Sequence, residues 1–199
     1  MYMTVRHYAR TSGPQEAAER LQTGLVPLLA RVPGFIAYYS AALEPGGALS
    51  ATLFERRDEA LEANELTRDW VVTHLRHLAP HPPEVTGGEV LCAVAGEPGV
   101  EAHLTVHVFD AGMLPHVGVP PDMPQTIAAS CTGLAGFRRF YALRSEGHSN
   151  RRLVVTLHED EAAAAAARRA VASLLETRPD LAPNPPVVIA GRVVATRRG

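Results

Sequence analysis

The chain contains no lysine, few cysteines and a single tryptophan. All 19 basic side chains are arginine, so no lysine is available for a Schiff base or for a Walker-type phosphate site. Two cysteines, Cys92 and Cys131, are too few for a disulfide framework and are compatible with a reducing compartment. No apolar run reaches the ~18 residues of a membrane span, and the first ten residues lack the apolar core of a signal peptide. A soluble, cytoplasmic protein is expected.

The balance of charge argues against several classes of partner. The 199 residues carry a net charge of −2, with 46% hydrophobic and 20% charged side chains. These values are typical of a globular protein and indicate no general attraction to nucleic acid or to a membrane surface. No nucleic-acid recognition motif is present either.

An internal repeat organises the sequence. Three segments recur in the same order, at offsets of 101 to 104 residues: MTVRHYA and LTVHVFD, VPGFIAYYS and LAGFRRFYA, ATLFERRDEA and VTLHEDEAAA. Insertions in loops after a duplication produce such a drift. The sequence therefore predicts two related halves, residues 1–96 and 101–199.

Each half reads as β-α-β-β-α-β. In the first half the predicted strands are 3–9, 35–43, 48–56 and 88–95, with helices starting near Pro14 and at Asp58, the second running to about Leu78. In the second half they are about 102–110, 136–145, 151–158 and 187–197, with helices at 125–132 and from Asp160 to about Glu176. Residues 112–124 are rich in proline and glycine, which predicts a shortened first helix there.

This order predicts an α+β fold of two ferredoxin-like halves. Helices cover one face of each antiparallel sheet, and the strands are apolar on both faces, so the second face also needs cover. We expect the two sheets to pack face to face as a pseudo-dimeric α+β barrel within one chain. The protein is then an internal pseudo-dimer that could assemble further as a homodimer.

The first half resembles the antibiotic-biosynthesis-monooxygenase superfamily of dimeric α+β barrels. The resemblance rests on VPGF at 32–35, the two strands around a Pro-Gly turn, the helix start FERRDEALEA and the helix segment DWVVTHLRHLAP. It covers most of residues 3–95, with a weaker echo over 104–197. The resemblance implies a ligand cleft between sheet and helices. Members of the superfamily include cofactor-free oxygenases of polycyclic phenols and haem-degrading enzymes.

Family enzymes present an asparagine one turn before a tryptophan on the second helix. Trp70 matches the tryptophan, but Leu66 lies one turn earlier, and Asn64 is six residues away and on another side of the helix. The haem-degrading branch has a histidine ten residues after the tryptophan. Pro80 occupies that position, between His77 and His81.

The candidate site residues each have a structural alternative. Trp70 stacks on substrate or donates electrons, or it is a packing anchor. His74 and His77 serve a site, or they are exposed histidines at the helix end. No metal site is predicted, because neither HExxH nor CxxC occurs. Trp70 and His74 are nevertheless retained as catalytic candidates, and His77 as a substrate-binding candidate.

Alternation on the first strand of each half supplies further candidates. His107 matches Arg6, and Phe109 matches Tyr8. If the intervening valines face the helices, these four residues face the barrel interior, where His107 could act as a general base or be a satisfied core histidine. Arg6, Tyr8, Tyr38 and Phe109 are predicted to bind substrate.

Three functions are compatible with these residues. The first is a cofactor-independent monooxygenase acting on a polycyclic or phenolic aromatic small molecule, for which the protein supplies a base, a desolvated pocket and orientation. The second is a non-catalytic module that binds a small ligand. The third is a haem-binding or haem-degrading protein, which requires His74, His77 or His81 to face the cleft.

Overall fold

A computed structural model describes residues 1–110, 120–147, 151–182 and 184–199. It shows the predicted α+β class with antiparallel strands, and the β-α-β-β-α-β order occurs twice. The strands are β1 Tyr2–Tyr8, β2 Phe35–Ala42, β3 Ala48–Phe54, β4 Glu84–Ala95, β5 His103–Asp110, β6 Phe137–Ser145, β7 Arg151–His158 and β8 Val187–Arg198. The helices are α1 Pro14–Arg20, α2 Val26–Leu29, α3 Arg57–His74, α4 Met123–Thr132 and α5 Glu161–Thr177, with a 3₁₀ turn at Pro179–Leu181.

The residues form two compact units. Unit 1 comprises Met1–Glu89 and Gly191–Gly199, and unit 2 comprises Val90–Ala190. The strands β4 and β8 therefore each contribute residues to both units. The origin of the halves 1–96 and 101–199 by duplication, and the face-to-face pairing of their sheets, stay predictions.

Unit 1 has the strand order β4-β1-β3-β2-β8, with every neighbouring pair antiparallel. The helical layer lies against one face of this sheet. There Tyr2, Tyr38 and Phe54 form a core with helix residues that include Leu25 and Ala63. Side chains alternate along a strand, so Arg6 and Tyr8 share the helix-facing side with Tyr2, while Met3 and Val5 are buried on the opposite side.

Unit 2 is built around β6-β7-β5, again antiparallel. Its helix-facing core joins Phe109, Phe140 and Val154 of the strands to residues of α4 and α5, among them Ile127 and Val171. His107 lies two residues before Phe109 on β5 and therefore faces the helices too. The proline- and glycine-rich stretch predicted before α4 lies mostly outside the described residues.

Two helix boundaries differ from the prediction. The helix α3 begins after Arg56, whose backbone N–H donates to the Glu59 carboxylate at 3.0 Å, so Asp58 lies inside the first turn instead of capping it. The same helix ends at His74, four residues earlier than predicted, which places His77 in the following turn. Between α1 and α2 the chain forms a π-helical turn at Leu21–Leu25. Pro27 follows this turn at the start of α2, so the first helical segment is irregular.

Candidate functional site

Trp70 packs within the helical layer of unit 1. Its indole covers Gly24 of the π-helical turn so closely that a Cβ at Gly24 would lie 2.5 Å from Cζ2 of Trp70. On its other side the indole stacks with the ring of His74, at a centroid distance of 4.6 Å and an interplanar angle of 17°. Trp70 lines none of the cavities described below. The surroundings of Trp70 are therefore those of a packing anchor, the structural alternative given for this residue above.

The two histidines after Trp70 are exposed. Nδ1 of His74 lies 2.9 Å from the backbone oxygen of Trp70, one turn earlier. Nε2 of His77 lies 3.3 Å from the Glu16 carboxylate on α1, and this contact holds the pKa of Glu16 below its usual range. Neither ring lines any of the three cavities described below, so the structure does not bring these predicted site residues to them.

The main opening of unit 1, the Arg6 cleft, lies between β1, the helix α3 and residues 79–85, and has a volume of about 600 Å³. On its wall lies Arg6, which is only 3% exposed. Its Nη1 donates to Thr52 Oγ1 at 3.1 Å, and its Nη2 donates to the side-chain oxygen of Asn64. Burial lowers the pKa of this guanidinium from its usual high value, and it remains charged at neutral pH.

Arg6 and Tyr8 face the helices, so the condition for placing them in the barrel interior, that the valines face the helices, is not met. The prediction that Arg6 and Tyr8 lie on the same face of β1 is correct. Because both faces of β1 are buried, alternation alone does not indicate which of them meets the helices. The cleft also corrects the interpretation of Asn64. It lies on a different side of α3 from Trp70, as predicted, and that side is the one that reaches Arg6.

A smaller cavity of about 50 Å³, the Tyr38 cavity, shares Tyr8, Thr67 and Val71 of its lining with the Arg6 cleft. The Tyr38 cavity is lined mostly by apolar residues of α1, α3 and β2, with Tyr38 and Ser40 among its polar ones. Burial raises the pKa of both Tyr8 and Tyr38. Both hydroxyls therefore stay protonated at neutral pH and are available as hydrogen-bond donors.

Unit 2 has a separate opening, the His107 pocket, of about 460 Å³ between β5, the helix α5 and residues 179–182 and 185–188. His107 is 2% exposed, and burial lowers its pKa to about 4, so the ring is neutral at pH 7. Phe109 stacks with it at a centroid distance of 6.2 Å but lies in the core and not on the pocket wall. Arg168 of α5 lines the pocket beside His107.

Asn64 and Arg168 were not identified as site residues from the sequence. The spacing of small residues along α3 and α5 is a signal in the sequence that indicates both of them. The buried side chains of α3 are Ala60, Ala63 and Thr67, and those of α5 are Ala164, Ala167 and Val171, each 104 residues later. These small residues mark the helix face that meets the sheet. Asn64 and Arg168 adjoin this stripe at the same offset.

Two further findings bear on the candidate chemistry. Within the described ranges, no group of three or more histidine, cysteine or acidic side chains is placed to hold a metal ion. Of the helices that the structure describes, none has the length and apolarity to cross a bilayer.

Comparison with solved structures identifies the fold. A putative monooxygenase from Fusobacterium nucleatum superposes with a TM-score of 0.73 at 11% identity, over 99% of this chain and 94% of that one. An anthrone oxidase-like protein gives 0.61 at 11% identity, over 99% and 92%. A variant chlorite dismutase from Candidatus Nitrospira defluvii gives 0.62 at 13%, over 96% and 90%. The chain shares the α+β fold of these proteins. The resemblance found in the sequence is thus confirmed for the fold, although no protein-family model and no curated protein matches the chain.

Proposed function

We propose that the Arg6 cleft binds a polycyclic or phenolic aromatic small molecule as its anion and supports its cofactor-independent oxygenation. The observation that carries this proposal is a buried guanidinium on the wall of an opening large enough for a small organic ligand. A charged group that is almost fully removed from water favours an anionic partner far more than an exposed one does. A phenolate or enolate fits, because its charge is spread over an apolar ring system.

The surroundings of Arg6 hold the guanidinium in place. Asn64 and Thr52 each accept one of its N–H groups, so its position is fixed before substrate arrives. Such preorganised charge stabilises a developing anion without further reorganisation. Tyr8 adds a protonated hydroxyl on the same cleft wall.

The chemistry needs no reductant other than the substrate. When a ring methylene becomes a carbonyl, one oxygen atom of O₂ enters the substrate, and the other leaves as water with the two methylene hydrogens. The titratable groups on the described wall besides the arginines and Tyr8 are Glu65 and His81, both exposed. We therefore infer that Arg6 acts by lowering the pKa of the bound phenol, so that the anion forms without a buried base.

Haem fits the Arg6 cleft less well. Of the three histidines that the haem alternative requires, His81 alone lines the cleft, and it is exposed at the proline-rich edge. His74 is engaged with Trp70 and His77 with Glu16. No step of the proposed reaction passes through haem. A cytoplasmic location and an internal pseudo-dimer remain part of the proposal.

The test compares Arg6→Met with Arg10→Met, which removes an exposed arginine two residues after Tyr8. The substrate is an anthrone, a tricyclic ketone with a central methylene whose enol tautomer is a phenol, and the O-methyl ether of that enol, which cannot form the anion, is the inactive analogue. The unaltered protein and Arg10→Met should consume O₂ and place one ¹⁸O atom from ¹⁸O₂ in the product. Arg6→Met should lower the rate about 100-fold, the typical effect of losing one oxyanion-stabilising donor.

Binding is measured separately with a nitrophenol, whose absorbance reports its ionisation. Its pKa should fall on binding to the unaltered protein and to Arg10→Met, and should not fall in Arg6→Met. Circular dichroism and the fluorescence of Trp70 establish that each variant is folded. Oxygen uptake that is equal in the two variants contradicts the role of Arg6, and oxygen uptake that is absent with every phenol contradicts an oxygenase. A lowered nitrophenol pKa without oxygen uptake identifies the binding module instead.

A further inference from the structure

Unit 2 contains a cluster of buried polar atoms without partners. Among the described residues these are Nδ1 of His103, Oγ1 of Thr105, Nδ1 of His107, Oγ1 of Thr156, both ring nitrogens of His158 and Nη1 of Arg168. Buried polar groups are nearly always hydrogen-bonded, and each unpaired one costs roughly 1–3 kcal/mol. So many in one place indicate that the cluster receives a partner from outside the chain.

The strand register places most of these atoms on one face. His103 is opposite His158, and Thr105 is opposite Thr156, in the β5–β7 pair. Directly opposed residues in antiparallel strands point to the same side of the sheet. His107 continues the row on β5, and this side is the one covered by α5.

Arg168 lies over this row from the helix. Its Nη2 donates to Glu161 at 2.6 Å, and the other Glu161 oxygen lies 2.5 Å from Nε2 of His103. Burial holds the pKa of His107 and His158 down, and the positive charge of Arg168 adds to this effect. The charged groups near the row are therefore Arg168, Glu161 and Asp160.

Two residues of this cluster, His107 and Arg168, line the His107 pocket. Its remaining walls are mainly apolar: Val171, Ala172, Leu175, Pro179, Pro186 and Val188. Glu176 is exposed at the rim, where it disfavours a ligand with a second negative charge. Because His107 is neutral, the ring can donate one hydrogen bond while Arg168 donates another.

We propose that the His107 pocket is a second binding site, which takes an apolar monocarboxylate with its carboxylate between Arg168 and His107. A carboxylate offers two acceptor oxygens to these two donors, and arginine is the side chain that best matches that geometry. The apolar walls receive the tail of the ligand. This site is distinct from the Arg6 cleft and does not depend on the function proposed for it.

The probe is decanoate labelled with ¹³C at the carboxyl carbon, and 1-decanol is the uncharged analogue with the same tail. Titration calorimetry measures affinity, and the ¹³C shift reports the environment of the carboxylate. Decanoate should bind at least 10-fold more tightly than decanol. Intermolecular nuclear Overhauser effects should connect its chain with the methyl groups of Val171 and Val188.

Three arginine variants locate the interaction. Arg168→Met should weaken decanoate binding at least 10-fold, while Arg169→Met, which removes the exposed neighbour on α5, should change it less than twofold. Arg6→Met should leave it unchanged, and this separates the site from the Arg6 cleft. Ala172→Trp, which fills the pocket entrance without altering charge, should also abolish binding and does not disturb the polar row.

Several outcomes overturn the proposal. Equal affinity for decanoate and decanol removes the role of the carboxylate. Loss of binding in Arg6→Met assigns the ligand to unit 1. Absence of binding by the unaltered protein, with ordered water as the sole partner of the cluster, leaves the pocket without a ligand of this class.

Discussion

The two units place a guanidinium in the same gap between sheet and helix, but from opposite sides. In unit 1 it comes from the strand, as Arg6, and the helix supplies Asn64. In unit 2 the helix supplies Arg168, and the strand carries His107, whose position corresponds to Arg6. The helix faces match residue for residue at an offset of 104. The common order of strands and helices, the shared frame of the two units, therefore places a charged group in this gap. The partner across the gap, Asn64 in unit 1 and His107 in unit 2, determines the surroundings of that group.

The different origin of the guanidinium, from the strand in unit 1 and from the helix in unit 2, changes how well the polar groups of each gap are paired. Arg6 is held by two side-chain acceptors. In unit 2 Arg168 is held on one nitrogen, and the histidine row beneath it has unpaired atoms. In unit 1 both acceptors of the Arg6 guanidinium are neutral, so its N–H groups are held while its charge is left for a bound anion, whereas in unit 2 the polar row itself has unpaired atoms that favour an added partner.

Acid provides the strongest test of this difference. Burial lowers the pKa of His107 and of His158 to about 4, whereas both bind protons near 6.5 when the chain is unfolded. Between these values the unfolded state takes up protons that the folded state does not, so stability is full above pH 6.5 and falls towards pH 4. The loss at pH 4 is about 3 kcal/mol for each ring. Hydrogen exchange in β5 and β7 should report it, while the fluorescence of Trp70 follows unit 1.

A variant of His158 tests this assignment by replacing the imidazole ring with the side chain found at the equivalent position of unit 1. His158→Phe introduces the residue present at Phe54, the corresponding position on β3. It should remove about half of the loss between pH 6.5 and 4 and should stabilise the protein at pH 7, because two unpaired nitrogens disappear. An unchanged pH dependence in His158→Phe would falsify the assignment.

Two glycines test whether the shared frame is equally tight in both units. Gly34 and Gly136 have positive φ angles of 68° and 76°, and their carbonyls accept from Glu55 and Glu159, each at 2.8 Å. A Cβ at Gly136 would lie 2.7 Å from the Cβ of Ala163, which cannot rotate away. Gly136→Ala should therefore cost about 3 kcal/mol of unfolding free energy, from strain and overpacking together.

Gly34→Ala should cost less, about 1–2 kcal/mol. Its Cβ would meet the carboxylate of Glu59, a flexible side chain that can move but then gives up its contact with the Arg56 backbone. Gly133→Ala is the control, since its φ is −85° and a Cβ there meets nothing within 4 Å. Urea unfolding of the three variants provides the free energies. A larger loss for Gly34→Ala than for Gly136→Ala contradicts this reasoning.

The sequence predicted the frame better than the site. Turn residues such as Gly34 and Gly136, and the Glu44–Gly47 hairpin, are local signals, so the order of elements followed from them. The site depends on which strand face meets which helix face. Alternation on β1 left two choices because both faces are buried, and Trp70 directed attention to the side of α3 that packs on Gly24.

Helix caps provide the smallest and most local comparison. The Asp160 side chain accepts from the Ala163 backbone N–H at 2.8 Å at the start of α5, whereas Arg56 at the start of α3 has no side-chain acceptor to offer. Asp160→Ala should lower the unfolding free energy by about 1 kcal/mol. Arg56→Asn should raise it by about 0.5–1 kcal/mol, because asparagine accepts the N–H group that arginine leaves unpaired. For a chain of this length each change corresponds to about 2–4 °C in Tm per kcal/mol.

Arg56→Ala separates the cap from the charge. It removes the same guanidinium as Arg56→Asn, together with its exposed ion pair to Asp58, but it supplies no acceptor. An exposed pair contributes little, so Arg56→Ala should be close to neutral and Arg56→Asn more stable than it. If the two variants melt together, the cap of α3 is already complete through Glu59. The two units would then differ in how their long helices begin but not in how well those helices are capped, and the difference between them would rest on the sheet–helix gap alone.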